Sequence, residues 1–117
     1  MHIDKYIDPE GGYIMDGANY DNAGSLILNG MFQFCGCGTP EEAGRLILQS
    51  LKLIRDCNAE KITWKERDKQ YPSEAWRYFM AYQLDNWGLT EHGTSVDSAW
   101  LTDKGIEVME DLEQILA

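Results

Sequence analysis

Between residues 40 and 57 the positions Ala43, Leu46, Ile47, Ser50, Leu51, Ile54 and Cys57 recur every three or four residues. That period keeps one helix face largely apolar for about five turns, the pattern of a helix packed on a core. The start is specified by local chemistry. Thr39 offers an N-cap hydroxyl, Pro40 falls at N1 and Glu42 at N3, a capping box with the helix-starting proline in place. A second stripe, Trp76, Phe79, Met80, Leu84 and Trp87, follows Ser73 and stops at Gly88, which predicts a helix over 73–87. A third, Ile106, Met109, Leu112, Ile115 and Leu116, follows Thr102 as N-cap and predicts a helix over 103–116 with those residues facing in. Between these two, residues 89–92 and 99–101 read as short strands around a Gly-Thr-Ser-Val-Asp-Ser tip, a two-stranded element over about 89–101.

Other segments are less sharply patterned. In residues 22–34, Asn29-Gly30 between two apolar runs is a hairpin signal. Ala23, Leu26, Ile27, Gly30, Met31 and Phe34 nevertheless fall at helical spacing with Asn22 as a cap. The helix is the favoured of the two readings, although interior Asn and Gly cost it about 1.5 kcal/mol. Residues 58–71 form a polar connection holding a short helix or a strand around Ile62-Thr63-Trp64. Residues 1–21 read as a turn-rich N-terminal arm, with turns at Pro9-Glu10-Gly11-Gly12 and Asp16-Gly17, whose Ile3, Tyr6, Ile7, Tyr13 and Ile14 tuck against the core. The whole is an α+β chain, mainly α, expected to form a single domain over 1–117.

Composition narrows the function classes. An apolar content of 44% and a charged fraction of 26% are those of a globular domain. No apolar run reaches the roughly 18 residues of a membrane span, and the opening MHIDKYIDPEGG has neither the basic nor the apolar region of an export signal. Three cysteines without such a signal read as reduced thiols, so the expected location is a cytoplasm. The net charge of −10 is unevenly spread. Residues 1–44 carry one base against seven acids, residues 45–77 eight bases against five acids, and residues 78–117 one base against eight acids. Phosphate contacts need clustered Lys and Arg, and only the middle third offers them, at Lys61, Lys65, Arg67 and Lys69.

Helix, strand, tip, strand, helix is the layout of a winged helix. The segment Trp100-Leu101-Thr102-Asp103-Lys104-Gly105 resembles the second wing strand and following helix start of MarR- and PadR-type regulators. That resemblance covers roughly residues 40–117 and implies a recognition helix at 73–87, immediately before the wing. The outward candidates on that helix are Arg77, Tyr78, Tyr82 and Gln83, which include only one base, and the tip carries Asp97 and no Lys or Arg. The surfaces such a regulator would turn to DNA therefore lack cations, whereas exposed tyrosines suit a protein interface. The corner Cys35-Gly36-Cys37-Gly38-Thr39-Pro40-Glu41, the stretch Gly88-Leu89-Thr90-Glu91-His92-Gly93 and Trp100-Leu101-Thr102 resemble small uncharacterised proteins of phages and prophages. This implies a bacterial host cytoplasm and supplies no activity.

Cys35 and Cys37 are candidate zinc ligands, with Cys57 or His92 to complete the set, and their place before a helix N-terminus would also favour a reactive thiolate. Zinc signatures come as two ligand pairs and only one is present, so the favoured reading is a glycine-hinged corner feeding the helix, with no cofactor. No P-loop, dinucleotide fingerprint, zincin motif or nucleophile elbow occurs. The expectation is a non-enzymatic phage or prophage accessory protein that binds a host or phage protein, as a monomer or a homodimer. A divergent winged-helix DNA-binding regulator using Lys61, Lys65, Arg67 and Lys69 is the alternative, and a zinc-stabilised or thiol-reactive module at Cys35 and Cys37 is a third.

Overall fold

A computed structural model describes residues 7–8, 12–13 and 40–116. The helix or hairpin expected over 22–34, the Thr39 cap, and Cys35 and Cys37 lie outside the described residues, as does most of the N-terminal arm. Strands β1 (Ile7–Asp8) and β2 (Gly12–Tyr13) pair antiparallel, Ile7 opposite Tyr13. Helix α1 (Pro40–Asn58) follows, then α2 (Trp64–Asp68) and α3 (Glu74–Asn86). Strand β3 (Thr90–Glu91), a 3₁₀ turn (Val96–Ser98), strand β4 (Trp100–Leu101) and helix α4 (Asp103–Ile115) complete the chain. The described part is α+β and mainly helical, an arrangement compatible with a winged helix.

Local signals account for the element ends. Thr63 accepts from the Glu66 N–H at 3.0 Å while its own N–H donates to the Glu66 carboxylate at 3.2 Å, a capping box that makes the 64–68 segment helix rather than strand. Ser73 caps α3 by accepting from the Trp76 N–H at 3.1 Å. At the other end, Gly88 N–H donates to Asp85 and Leu89 N–H to Leu84, both at 3.0 Å. These two bonds are a Schellman motif, and its left-handed residue is Gly88 at φ +74°. Leu89 and Leu84 are both fully buried there, the apolar contact that accompanies this motif.

The core lies between α1, α3 and α4. Every residue of the α1 stripe is buried, Ser50 and Cys57 included. Ser50 accepts a hydrogen bond from the Tyr71 hydroxyl at 2.9 Å, so its polar atom is satisfied. Met80, Leu84 and Trp87 enter from α3, Leu89 from the segment before β3, and Val108, Met109 and Leu112 from α4.

The last helix keeps Met109, Leu112, Ile115 and Leu116 of the expected stripe against the core and departs from it at Ile106. Ile106 is 40% exposed, while Gly105, Val108, Met109 and Leu112 are buried. The cause is Gly105. A Cβ there would lie 2.0 Å from the Leu89 carbonyl oxygen, so the first turn of α4 rests directly on backbone, and the 105-108-109-112 face is the one turned inward. No helix among the described residues is long and apolar enough to cross a membrane.

Candidate functional site

Among the described residues two places concentrate chemistry: a group of two arginines and two aspartates beneath the 96–98 turn, and an apolar groove between α1, β4 and α4.

The first collects side chains from three elements. Arg67 of α2 is only 4% exposed. Its Nε donates to Asp68 Oδ1 at 2.8 Å and its Nη2 to Asp97 Oδ1 at 3.1 Å. Arg77 of α3 pairs with Asp68 Oδ2 at 3.1 Å, with Asp97 Oδ1 at 3.2 Å and with Glu74 at 3.7 Å. Each aspartate is thus shared by both arginines. The guanidinium of Arg67 also lies 4.9 Å from the Trp64 ring centroid and that of Arg77 4.8 Å from the Tyr78 ring, both within cation–π range. Burial works to lower the Arg77 pKa. The charge of Asp97, a hydrogen bond with Tyr78 and the charge of Asp68 outweigh it and hold the group above its ordinary value.

This arrangement corrects two expected site residues. Arg67, placed in a basic surface cluster, is buried and bound by two carboxylates, and Arg77, placed on an outward face, has a side chain only 13% exposed. Neither offers a phosphate a free donor fork. The physical reason is that Asp68 and Asp97 arrive from different parts of the chain, so their convergence on the arginines is a tertiary fact. Lys61, Lys65 and Lys69 are exposed as expected. Tyr78 and Tyr82 are exposed and Gln83 is half-buried.

Cys57 is a satisfied structural thiol. Its Sγ donates to the Thr63 carbonyl at 3.7 Å, and desolvation by burial pushes its pKa up despite the opposing charge of Arg67. Because the folded pKa is raised, Cys57 contributes stability that is fully present below the ordinary thiol pKa and is lost as pH rises through the higher folded one. With Cys35 and Cys37 changed to serine, Cys57 is expected to react with a disulfide reagent about a hundredfold more slowly in native protein than in urea. Equal rates would show that the thiol is accessible in the native state. Among the described residues no group of three or more His, Cys, Asp or Glu is placed to hold a metal ion, and Cys35 and Cys37 are not among them.

The groove is the second place. Arg55 and Asn58 of α1, Ala59 of the turn after it, Trp100 and Leu101 of β4, and Ile106, Met109, Glu110 and Glu113 of α4 line a space of about 570 Å³. Its walls are tied together. The Asn58 side-chain amide donates to Ile54 O and to Ala99 O, both at 2.9 Å, which joins the end of α1 to the start of β4. Arg55 donates to Asp56 at 3.0 Å and stands 3.8 Å from Glu113, joining α1 to α4. Trp100 is 44% exposed beside the exposed Ile106.

The sequence reading missed this groove. Alternation in a strand says that Trp100 and Leu101 take opposite faces but not which one faces solvent. For Ile106 the available signal was Gly105, a small residue in the first turn of a helix.

Among the described residues, the fold and these two places define a small α+β unit with an internally neutralised charge cluster and an exposed apolar groove. Compared with protein-family models, with curated proteins and with solved structures, the chain matches none.

Proposed function

We propose that residues 40–116 make a winged-helix-like, non-enzymatic interaction module that docks another protein. In this reading it is a phage or prophage accessory protein meeting its partner in a bacterial cytoplasm. The observation that carries the reading is the groove, in which an exposed tryptophan and isoleucine stand on hydrogen-bonded secondary structure. Large aromatic side chains left out of the core are preferred anchors of protein interfaces, and a rigid frame keeps the ordering cost of binding small. Tyr78 and Tyr82 add exposed aromatic surface on α3.

The alternative, a winged-helix DNA-binding regulator, has weaker support. Its contact helix would present α3, whose single base is held by Asp68, Asp97 and Glu74, and its wing tip carries Asp97, turned onto the arginines. Of its basic cluster, Lys61, Lys65 and Lys69 remain as exposed cations, and a positive patch that small gives little counterion-release affinity.

Affinity capture with the intact chain and with Ile106→Glu, read by quantitative mass spectrometry of a host lysate, tests the interaction reading. At least one captured protein is expected to fall about tenfold or more with the variant, because a carboxylate placed in an apolar contact is left unpaired. Identical capture by both proteins would sink it.

A further inference from the structure

We propose that the groove receives a basic amphipathic segment of the partner protein. One apolar side chain seats against Trp100 and Ile106, and flanking lysine or arginine side chains meet Glu91 and Glu110. This rests on the interaction reading and adds the partner's chemistry to it.

The apolar half of the argument is shape and lining. Leu101, Ile106, Met109 and Trp100 present carbon to a space of about 570 Å³, within the range of pockets that take ligand-sized groups and open enough for a chain to pass. The other half is charge. Glu110 and Glu113 stand on the α4 side of the groove. Glu91 lies directly opposite Trp100 in the β3–β4 ladder, and directly opposed residues share one face of a sheet.

The cation in the lining, Arg55, is already engaged by Asp56 and Glu113, so it presents no free positive charge to an incoming base. Among the described residues neither Glu91 nor Glu110 forms an ion pair, so both are available to a partner. Helix α4 as a whole carries five acids against Lys104. Such a field draws a cationic segment in and turns away phosphate, anionic lipid and acidic peptides. An amphipathic helix meets a groove of this kind through apolar anchors three or four residues apart, which leaves its polar face free to carry the bases.

The test is selection from a random peptide library displayed against the immobilised full chain. The enriched peptide is then synthesised and its affinity measured by fluorescence anisotropy. The expected consensus sets leucine or an aromatic residue beside lysine or arginine. Affinity should fall about tenfold in Trp100→Ala and several-fold in Glu110→Lys, and it should weaken as salt rises from about 50 to 500 mM. Both side chains are exposed, and circular dichroism checks that the variants remain folded.

A consensus without basic residues that still loses affinity in Trp100→Ala would overturn the charge inference and leave the interaction reading standing. Binders indifferent to Trp100→Ala, or no enriched peptide at all, would overturn the groove as a docking site. A dimer in sedimentation equilibrium that Ile106→Glu dissociates would seat a second copy there and overturn the proposal.

Discussion

Asp97→Ala is expected to cost the fold about 3 kcal/mol, seen as a fall of roughly 10 °C in Tm and a lower urea midpoint. The size follows from what the substitution leaves behind. Asp97 Oδ1 accepts from Arg67 Nη2 at 3.1 Å and pairs with Arg77 Nε at 3.2 Å, and Arg67 is nearly inaccessible to water. Without Asp97 two arginines share the single carboxylate of Asp68, with only the exposed Glu74 beside Arg77. A buried charge that loses its partner costs far more than an intact pair contributes.

The same physics makes a contrasting prediction. Arg67→Met combined with Asp97→Leu should cost less than the two single changes added together, by about 1–2 kcal/mol, because the double variant leaves a smaller uncompensated charge. Strict additivity, or a loss below about 1 kcal/mol for Asp97→Ala, would mean that the cluster is effectively solvated.

Gly105→Ala is the second large effect, and its sign is informative. Helix propensity alone favours alanine by about 1 kcal/mol at such a position. Here the added Cβ would lie 2.0 Å from Leu89 O and 3.0 Å from Leu89 C, backbone atoms that cannot rotate away. Relief requires α4 to withdraw from the 88–89 segment. That would strain the Thr102 N–H bond to Leu89 O at 3.1 Å and the Thr102 hydroxyl bond to Gly88 O at 2.7 Å. The expected result is destabilisation by about 3 kcal/mol, at the upper end of overpacking effects. Gly93→Ala is the control: a Cβ there meets nothing within 4 Å, and the change should stay within about 0.5 kcal/mol. Stabilisation by Gly105→Ala in urea unfolding would show that the close contact is not maintained in solution.

The parts of this fold legible in the sequence are those governed by neighbours along the chain. The α1 stripe, the Ser73 and Thr102 caps and the Gly88 stop follow from interactions within a few residues, and the paired segments at 90–91 and 100–101 lie close along the chain. The 58–71 connection stayed open between helix and strand, and the Thr63–Glu66 capping box settles it as helix. That pair was present in the sequence as Thr-x-x-Glu.

What stayed hidden depends on distant partners. Arg67 reads as a surface cation because its neighbours in the chain are polar, and Arg77 because it lies off the Trp76, Phe79 and Met80 stripe of its helix. Their burial depends on Asp97, which is 30 residues from Arg67 and reaches it only once the β3–β4 segment folds back. Of the expected α4 stripe, Met109, Leu112, Ile115 and Leu116 pack on the core and Ile106 does not, since periodicity alone cannot weigh Ile106 against Val108. The contact of Gly105 with Leu89 breaks that tie. The groove follows from it, because a helix seated on Gly105 leaves Ile106 outside, next to Trp100. Sequence by itself determined the helices, their caps and the acidic character of α4, because each is a matter of local bonding or summed charge. Only the tertiary structure decided which charges are neutralised and which apolar side chains remain for a partner, because both depend on which surfaces meet.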